Sequence, residues 1–440
     1  MVFSLNKGTE LTTALLEKMI NKFRVEVEPK LSKYKRYYDG EQNIKSKSYA
    51  DATKPCNKAV SNAIKNVVDS YAGYLATPSY ISYTSDNDIE AVMNILKYND
   101  YQTEDSDFLQ DALIYGTAAE LMYIDEDAQP RFKLINPTTC FGVFDSSLTG
   151  DLTHFVRMYK EDEWSDSDTY LVDVYSDTEI KHYKMSGYLG GLELIGEEPH
   201  YFSQVPANIF SLQDEKSIFD CVIDLQDIYN TLLNAEVDDY ESFVDSYLVI
   251  TGADVDGSTM QIMRESRGIA LPEGATASYL TKAVNDTQIE NMLKRIQDSI
   301  YQISSCVDFS SDSFTGGVSS GVAIRFKLSG METRAGKIEA AMKKALQRRV
   351  EIICGIASLK LGEEVYRDIT ITFKRNIPED TAATIQLINA LKGSVSDATL
   401  LAQLPFITDV NAELEKVKEQ KAANMELYGF DAPTDDKEAE

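Results

Sequence analysis

The pattern in this sequence most typical of a catalytic site is Gly317-Val-Ser319-Ser-Gly321, which matches the Gly-x-Ser-x-Gly nucleophile elbow of hydrolases. An elbow places the serine at a sharp turn between a strand and a helix, and it requires an acid and a histidine later in the chain. The residues before it are not strand-like, and every histidine in the chain precedes Ser319. A flexible loop is therefore the better interpretation, and a serine hydrolase using Ser319 is a weak alternative.

Metal-binding patterns are equally weak. Asp254-Val-Asp256-Gly257 resembles part of a calcium loop, but Gly252 and Met263 stand where that loop needs acidic side chains. The histidines lack the spacing of zinc ligands, and the five cysteines are far apart with no Cys-x-x-Cys pair. Glu120 and two aspartates, Asp69 and Asp125, lie in partly apolar surroundings, but nothing in the sequence pairs them as general acid and base. The sequence thus predicts no catalytic residues, no metal and no cofactor.

Charge composition narrows the class of protein further. The 440 residues contain 43 basic and 71 acidic side chains, a formal net charge of −28, which disfavours tight binding to a phosphate backbone. The imbalance is uneven, because residues 1–60 carry twelve bases and seven acids whereas residues 86–180 carry five bases and twenty-two acids. There is no signal-peptide pattern and no apolar run long enough to span a bilayer. We therefore expect a soluble protein of a reducing cytoplasm, not a basic reader of DNA.

The elements that would position functional residues predict an α+β fold. Expected helices cover Thr9–Tyr37, Asn57–Leu75, residues 86–117, Ser217–Phe243, a stretch that starts at Thr287, and Val322–Leu359. Short Val/Ile/Tyr runs between Leu121 and Pro206 predict strands, and so does the alternation at Ile369–Phe373. A small β insert separates the helix at 217–243 from the one that starts at Thr287. At 1.5 Å per residue the helix of Val322–Leu359 would be about 57 Å long, which is unusual in an enzyme.

One face of the helix at 217–243 is acidic along its length. Asp220, Asp224, Asp227, Asp238 and Glu241 recur at helical spacing on that face. Exposure to bulk solvent explains such a stripe, and the lining of a water-filled channel explains it as well. The sequence leaves both interpretations open.

The order of these parts and several short phrases resemble the portal proteins of tailed bacteriophages, in particular the type common in phages of Gram-positive hosts. The phrases are Tyr37-Tyr-Asp-Gly-Glu41, Val67-Val-Asp-Ser-Tyr-Ala-Gly-Tyr-Leu75, Ala112-Leu-Ile-Tyr-Gly-Thr-Ala-Ala-Glu120 followed by MYIDED, Leu225-Gln-Asp-Ile-Tyr-Asn230, Ser320-Gly-Val-Ala-Ile324 and Phe373-Lys-Arg-Asn-Ile-Pro378. Each phrase alone is weak, but their order over about 350 residues is fairly specific.

The resemblance implies a non-enzymatic ring subunit with named parts. These would be a wing (1–216), a first stem helix (217–247), a clip (248–284), a second stem helix (285–305), a tunnel loop (306–321), a spine helix with a returning wing strand (322–378), a helical crown (379–428) and a disordered acidic tail (429–440).

The same resemblance implies partners and candidate sites. A ring of probably twelve copies would sit at one capsid vertex of the virion, after assembly in the host bacterial cytoplasm. It would pass double-stranded DNA without sequence specificity and would contact the terminase large subunit, head-completion (connector) proteins, and major capsid and scaffolding proteins, but no membrane. The acidic stripe would then line the channel. The loop residues expected to touch DNA are Ser310, Ser311, Asp312, Ser313, Phe314, Thr315, Gly316 and Gly317.

Cations near the predicted loop and along the long helix are candidates for phosphate contacts or for ion pairs between subunits. They are Arg325, Lys327, Lys343, Lys344, Arg348 and Arg349. The alternative in the same class is another virion structural protein, such as a head–tail adaptor. Adaptors are usually much shorter and lack the succession of helix, insert, helix, loop and long helix.

Overall fold

The structure is a computed structural model. It describes residues 2–51, 54–76, 81–162, 168–244, 247–253, 271, 273–280, 286–308, 321–356, 365–375, 388–401 and 413–420, with isolated positions at 164, 257, 261, 386, 404 and 410. The chain divides into two compact units, one formed by residues 1–315 and 327–376 and the other by residues 316–326 and 377–440.

The first unit opens with a short strand, Val2–Leu5, and most of its helices follow. Its helices are α1 (Thr13–Lys22), α2 (Glu28–Tyr38), α3 (Ala63–Leu75), α4 (Glu90–Tyr98), α5 (Tyr101–Tyr115), α6 (Ile223–Val244) and α7 (Asp286–Ile303). A single π-helical turn, Phe23–Val27, joins α1 to α2, so the predicted helix of Thr9–Tyr37 is interrupted but largely confirmed. The predicted helical stretch 86–117 is two helices, because Asp100 adopts a left-handed conformation (φ 49°) between them.

Two antiparallel sheets form the β part of this unit. The larger has the order β1-β5-β6-β7-β8-β9 and the smaller has the order β10-β3-β4. Their strands are β1 (Val2–Leu5), β3 (Thr117–Ile124), β4 (Pro130–Ile135), β5 (Cys140–Asp145), β6 (Leu152–Lys160), β7 (Thr169–Tyr175), β8 (Glu179–Ser186), β9 (Leu192–Pro199) and β10 (Ala207–Ser211). Only β1, which pairs with β5, is parallel to its neighbour. A shared core that includes Leu121, Phe155 and Val205 lies between the two sheets.

The described residues also form two further two-stranded sheets. β2 (Ile81–Thr84) pairs with β13 (Thr370–Phe373), which brings chain segments almost 290 residues apart into one ladder. β11 (Tyr247–Thr251) pairs with β12 (Thr276–Leu280), as the predicted small β insert between α6 and α7 requires. Of residues 258–266 within this insert, only position 261 is among the described residues. The mixed helix and sheet content confirms the α+β class.

The long helix predicted for Val322–Leu359 is α8 (Gly321–Cys354), 34 residues, which corresponds to about 51 Å. Its buried residues recur every three or four positions, which explains why one side packs on the body: Met331, Ala335, Ile338, Met342, Leu346, Val350 and Ile353. Among the described residues that follow it are two short helices, α9 (Val365–Asp368) and α10 (Asp397–Leu401), and a helical stretch at 413–420. Most of the residues predicted for the crown and the acidic tail are not among those that the structure describes.

The turn from α5 into β3 depends on a glycine. Gly116 ends α5 with φ 82°, and a Cβ atom there would approach the Lys216 backbone to 2.5 Å. Only glycine combines this φ with so close a neighbour at low energetic cost. The turn aligns α5 with β3, which together carry two buried carboxylates described below.

A carboxyl group on α5, that of Asp111, makes the stability of the first unit depend on pH. Burial, reinforced by the nearby Asp107 carboxylate, raises the pKa of Asp111 to about 6. The folded state therefore binds this proton more tightly than the unfolded state, in which an aspartate has a pKa of about 3.9, so this contribution to stability is lost as the pH rises from about 4 through about 6. We expect Asp111→Asn to increase the free energy of unfolding by about 2 kcal/mol at pH 7.

Urea unfolding followed by circular dichroism at pH 7 and pH 4 tests this prediction. The difference between the variant and the parent chain should disappear at pH 4, where Asp111 is protonated in the folded protein. The exposed Asp86, replaced in the same way, is the control and should change stability by less than about 0.5 kcal/mol. A destabilised Asp111→Asn at pH 7 would contradict the prediction.

Candidate functional site

The acidic face of α6 lies against the N-terminal segment of the same chain. Tyr34 Oη donates to Asp220 (2.5 Å), Tyr37 Oη donates to Asp227 (2.7 Å), and Lys47 Nζ donates to Asp238 (2.6 Å). Each tyrosine has a raised pKa, because burial and the adjacent carboxylate both disfavour the phenolate. The basic first sixty residues and the acidic helix are thus partners within one subunit.

Amide side chains on the same helix extend this contact in a regular ladder. Asn234 Oδ1 accepts from the Ala59 backbone N–H (2.7 Å), and its Nδ2 donates to the Ala59 carbonyl (2.8 Å). Asn230 accepts from the Ser61 N–H (3.0 Å), and Gln226 donates to the Ser61 carbonyl (2.5 Å). The amides satisfy the backbone of an irregular segment, which would otherwise lose hydrogen bonds to water on burial.

Asp238 is the centre of this contact. It is only 7% exposed and accepts from Lys47, from the Asn57 backbone N–H (2.7 Å) and from Asn57 Nδ2 (2.9 Å). Burial alone would raise its pKa, but the hydrogen bonds from Lys47 and Asn57 hold the pKa of this carboxyl below its usual value. The expectation that Asp238 faces a channel is therefore wrong, because its side chain is enclosed within its own subunit.

The other members of the acidic stripe fall into two groups, those that accept hydrogen bonds within the subunit and one that is exposed. Asp220, Asp227 and Glu241 are partly or well exposed but already accept hydrogen bonds from Tyr34, Tyr37 and Asn57. Asp224 is exposed on the helix surface. Whether these four carboxylates face a channel stays a prediction, and Asp224 is the member most open to one.

Removing the Asp238 carboxylate should weaken the attachment of residues 43–61. We expect Asp238→Ala to lower the free energy of unfolding by about 2 kcal/mol, because the partly buried Lys47 ammonium and the Asn57 N–H lose their acceptor. Since the folded pKa is depressed, the contribution of Asp238 is present above about pH 4 and is lost as the pH falls further.

Limited proteolysis and urea unfolding measure this effect together. Cleavage within residues 43–61 should accelerate in Asp238→Ala, while Asp224→Ala, on the exposed side of the same helix, should behave like the parent chain. Equal cleavage rates in both variants would count against the proposed role of Asp238.

Arg349 is buried in a charge cluster that the sequence analysis did not anticipate. Its guanidinium donates to both oxygens of Glu120 (2.9, 2.9 and 2.7 Å) and to Asp105, whose second oxygen accepts from Tyr83 Oη (2.9 Å). Asn208 Nδ2 also donates to Glu120 (2.7 Å). The three charged side chains are essentially inaccessible to solvent, so the expectation that Arg349 contacts phosphate or a neighbouring subunit is wrong.

The electrostatics of this cluster are unbalanced, since one cation faces two carboxylates. Burial raises the pKa of Asp105, and Arg349 and Tyr83 offset part of that effect. Burial would lower the pKa of Arg349, but Glu120 and Asp105 more than reverse this, so the guanidinium stays charged. The cluster joins α5, β3 and α8, and it fixes the long helix on the body.

The remaining predicted cations have different surroundings. Lys343 pairs with Glu339 on the same helix (2.7 Å), and Arg348 donates to Gln204 and to Glu351 (2.9 Å). Lys327 and Lys344 are exposed, while the side chain of Arg325 lies outside the described residues. Lys344 and Arg348 border an open cavity of about 990 Å³ between α8 and the strands of the body.

Residues 310–317, the part of the predicted tunnel loop (306–321) expected to touch DNA, also lie outside the described residues, but the chain leading into them is firmly held. Arg334 on α8 donates to the carbonyls of Ser304 (2.7 Å) and Ile218 (2.8 Å). Tyr71 Oη donates to the carbonyls of Ser304 (3.1 Å) and Ser305 (2.9 Å). The bonds to Ser304 and Ser305 satisfy carbonyls just after the carboxyl end of α7, where free carbonyls need donors, and the bond to Ile218 ties α8 to the segment before α6. The sequence patterns did not identify Arg334 or Tyr71 as functional residues, although Tyr71 lies within the phrase Val67–Leu75 that resembles portal proteins.

The described residues contain no cluster of three or more metal-ligating side chains. The histidines are scattered: His154 is on β6, while His182 on β8 hydrogen-bonds to Asp173 on β7 (2.7 Å). Ser319 itself is outside the described residues. Among the helices that the structure describes, none has the length and apolar character needed to cross a membrane.

Comparison with known proteins was made for the sequence of the whole chain. The model of the family described as phage portal protein, SPP1 Gp6-like, matches residues 20–427. The chain is also 23% identical over 468 aligned positions to a protein named portal protein of Bacillus phage SPP1, covering 98% of this chain and 90% of that relative. Proteins of this family are structural components of the virion and are not enzymes. Because the family match extends over nearly the whole sequence, the chain belongs to the SPP1 Gp6-like family of phage portal proteins.

Proposed function

We propose that the protein forms a ring of twelve copies at one capsid vertex, through which double-stranded DNA enters the capsid during packaging and leaves during ejection. The observation that carries the proposal is the family match over residues 20–427. The family implies a homo-oligomeric ring that contacts capsid, terminase and DNA. The number of subunits, the vertex and assembly in the host bacterial cytoplasm are expectations for the family.

The parts of this ring subunit are assigned as the sequence resemblance implies. Residues 1–216 form the wing, α6 and α7 the stem, residues 248–284 the clip, residues 306–321 the tunnel loop, α8 the spine, and residues 379–428 the crown. The paired strands β11 and β12 between α6 and α7 support a small clip at the tip of a helical hairpin. The terminase large subunit and the connector proteins would bind at the clip in turn, and the major capsid and scaffolding proteins would surround the wing.

The chemistry of a DNA conduit fits the composition of the chain. A tunnel must let a polyanion slide, and an acidic surface does not hold phosphates, whereas a basic lining would retain them. Asp224 on the exposed side of α6 is a candidate for that lining. The polar residues 310–317 would touch the DNA backbone without reading bases, because small hydroxyl side chains carry no base-specific pattern at the phosphates.

A reconstituted packaging reaction tests the proposal. Capsids assembled with and without this protein are mixed with the terminase, ATP and linear double-stranded DNA, and DNA protected from nuclease is measured. Protection should require the protein, and Ser319→Ala, which removes the hydroxyl needed by the hydrolase alternative, should leave it unchanged. Protection in capsids that lack the protein would contradict the proposal.

A further inference from the structure

The strand β9 forms one outer edge of the larger sheet, where it pairs with β8. A strand at an edge carries a row of backbone N–H and carbonyl groups that no strand of its own sheet can pair. With eight residues, β9 is twice as long as β1, the four-residue strand at the opposite edge. It is therefore the edge at which this sheet offers most backbone groups to another chain.

Backbone hydrogen bonds show which groups of β9 point outward. The His200 N–H donates to the Thr178 carbonyl (3.2 Å), which continues the pairing of β9 with β8. Residues of an antiparallel pair alternate between hydrogen-bonded and non-hydrogen-bonded positions. Glu198 therefore directs its backbone groups toward β8, whereas Glu197 and Pro199 direct theirs outward. Proline suits this outer position, because it has no N–H to leave unpaired.

A side chain of the same subunit already serves as the partner at the start of this edge. Glu17 on α1 accepts from the Leu192 N–H (2.8 Å). The outer strand of the smaller sheet, β4, is covered in a similar way by Asn99, which accepts from the Phe132 N–H (3.1 Å) and donates to the Pro130 carbonyl (3.0 Å). Within the described part of the chain, no side chain binds the backbone of β9 in this way beyond Leu192.

The side chains along the uncovered part of β9 are exposed and alternate in character. Leu192 and Leu194 lie on one face of the sheet, and Glu193 between them lies on the other. Leu194 is 48% exposed, and Ile195, at the β-bulge in the pairing with β8, is 52% exposed. Neighbouring large apolar side chains at an uncovered edge are typical of a surface that another chain covers.

The charges along this edge are mainly acidic. Glu193, Glu197 and Glu198 are all exposed. Lys181 lies 3.8 Å from Glu197, and His182 lies 3.6 Å from Glu198. Two β9 strands from different copies would bring these carboxylates together, and like charges opposite each other destabilise a strand pair. A strand that carries basic side chains would instead balance them.

We propose that β9 is a docking edge that takes an extended segment of another protein as an additional strand, and that this segment alternates apolar and basic residues. Strand addition gains main-chain hydrogen bonds, and side chains at alternate positions give specificity. The apolar residues would cover Leu194, and the basic residues would lie beside Glu193 and Glu198 on the other face. This inference rests on the proposed function, because β9 belongs to the wing, which the proteins of the capsid shell would surround.

A synthetic peptide, acetyl-Lys-Val-Lys-Ile-Lys-Val-Lys-Ile-amide labelled with fluorescein, tests the proposal on the full chain. Fluorescence anisotropy at about 0.15 M salt should show saturable binding. Leu194→Lys combined with Glu193→Lys should weaken binding by about tenfold, because an apolar contact and an acid–base pair are both replaced by repulsion. Leu148→Lys combined with Asp151→Lys, at the exposed turn between β5 and β6, changes the net charge equally and is the matched control.

Two further readouts separate strand addition from general attraction of a cationic peptide to an acidic protein. A peptide of the same composition, with its lysines grouped at one end, should bind more weakly because it does not match the alternation along β9. Carbon-13 labels at the carbonyls of the alternating peptide should show the infrared amide I band of a β-sheet on binding. Equal binding of the two peptides, or equal binding by the edge variant and its control, would overturn the proposal.

The same variants test a second copy of this chain as the occupant of the edge. Leu194→Lys combined with Glu193→Lys should leave ring assembly unchanged in sedimentation velocity. Loss of rings in this variant, with rings retained in the control, would show that β9 pairs with a neighbouring copy and would overturn the proposal.

The outcomes also separate the docking edge from the proposed function. If the parent chain forms no ring but binds the alternating peptide, the proposed function fails and the docking edge stands. If the parent chain forms rings and supports packaging but does not bind the peptide, the docking edge fails and the proposed function stands.

Discussion

Replacement of Arg349 by methionine is expected to lower the free energy of unfolding by about 3–5 kcal/mol, the usual effect of leaving a buried charge without its partner. Glu120 and Asp105 would then lie side by side in an apolar interior with no cation. The remaining donors, from Asn208 and Tyr83, are neutral and do not balance two carboxylates. Urea unfolding followed by circular dichroism, at protein concentrations below ring assembly, measures the loss.

Two further variants keep this prediction testable if Arg349→Met does not fold. Arg349→Met combined with Asp105→Asn and Glu120→Gln removes all three charges and should recover most of the lost stability, since hydrogen-bonded neutral groups are far easier to bury. Arg348→Met, at the adjacent and partly exposed position, is the matched control, with an expected loss below about 1 kcal/mol. A single Arg349→Met variant as stable as this control would contradict the role of the cluster.

Shortening of residues 310–317 is expected to leave ring assembly intact and to reduce DNA packaging by about tenfold, which corresponds to about 1.4 kcal/mol at the limiting step. The physical reason is loss of reach: a shortened loop no longer contacts the DNA backbone in the tunnel. The attachment points before the loop are unaffected, because Ser304 and Ser305 are held by Arg334 and Tyr71. Nuclease-protected DNA per assembled capsid is the quantity to measure.

The matched control keeps the length of this segment and changes its sequence. A Gly/Ser segment of eight residues at 310–317 preserves reach and the absence of base-specific groups, so its packaging should stay close to that of the parent chain. Unchanged packaging with the shortened loop, in rings of normal symmetry, would show that the segment does not act on DNA.

Much of the fold could be predicted from local patterns. The runs at LMYID, RFKLI, THFVRMY, TYLVDVY and EIKHYKM are strands β3, β4, β6, β7 and β8, because alternating Val, Ile and Tyr suit a half-buried sheet. Strands β1, β2, β5, β9 and β10 were not predicted. β1 and β2 have only four residues each, and β9 exposes most of its side chains, so these three carry no strong local pattern.

The partners of the predicted site residues were harder to predict than the residues themselves. Helical spacing groups Asp227 and Asp238 on one face of α6, with Asp220 in the short turn before the helix, but it gives no information about what covers that face. The basic character of residues 1–60 was the available signal, and it was not connected to the acidic helix. Spacing reports which side chains share a face, while the neighbour depends on contacts between residues 186 to 191 positions apart in the chain.

Arg349 shows a second case in which a local pattern did not reveal what surrounds a side chain. Four cations close together on a long helix suggest an external surface, yet one of them is directed into the core. The signal that could have found it is Glu120, a carboxylate inside the apolar run Ala118-Ala-Glu-Leu-Met122, since such a group needs a buried cation. Its partner lies 229 positions later in the chain, beyond the reach of any local pattern.

Electron microscopy of the purified protein, analysed for rotational symmetry, shows whether the chain forms a closed ring. We expect rings with a central hole and about twelve-fold symmetry, since a DNA conduit must close around a duplex. A uniform 49.2 kDa monomer at concentrations and salt that permit assembly would contradict it.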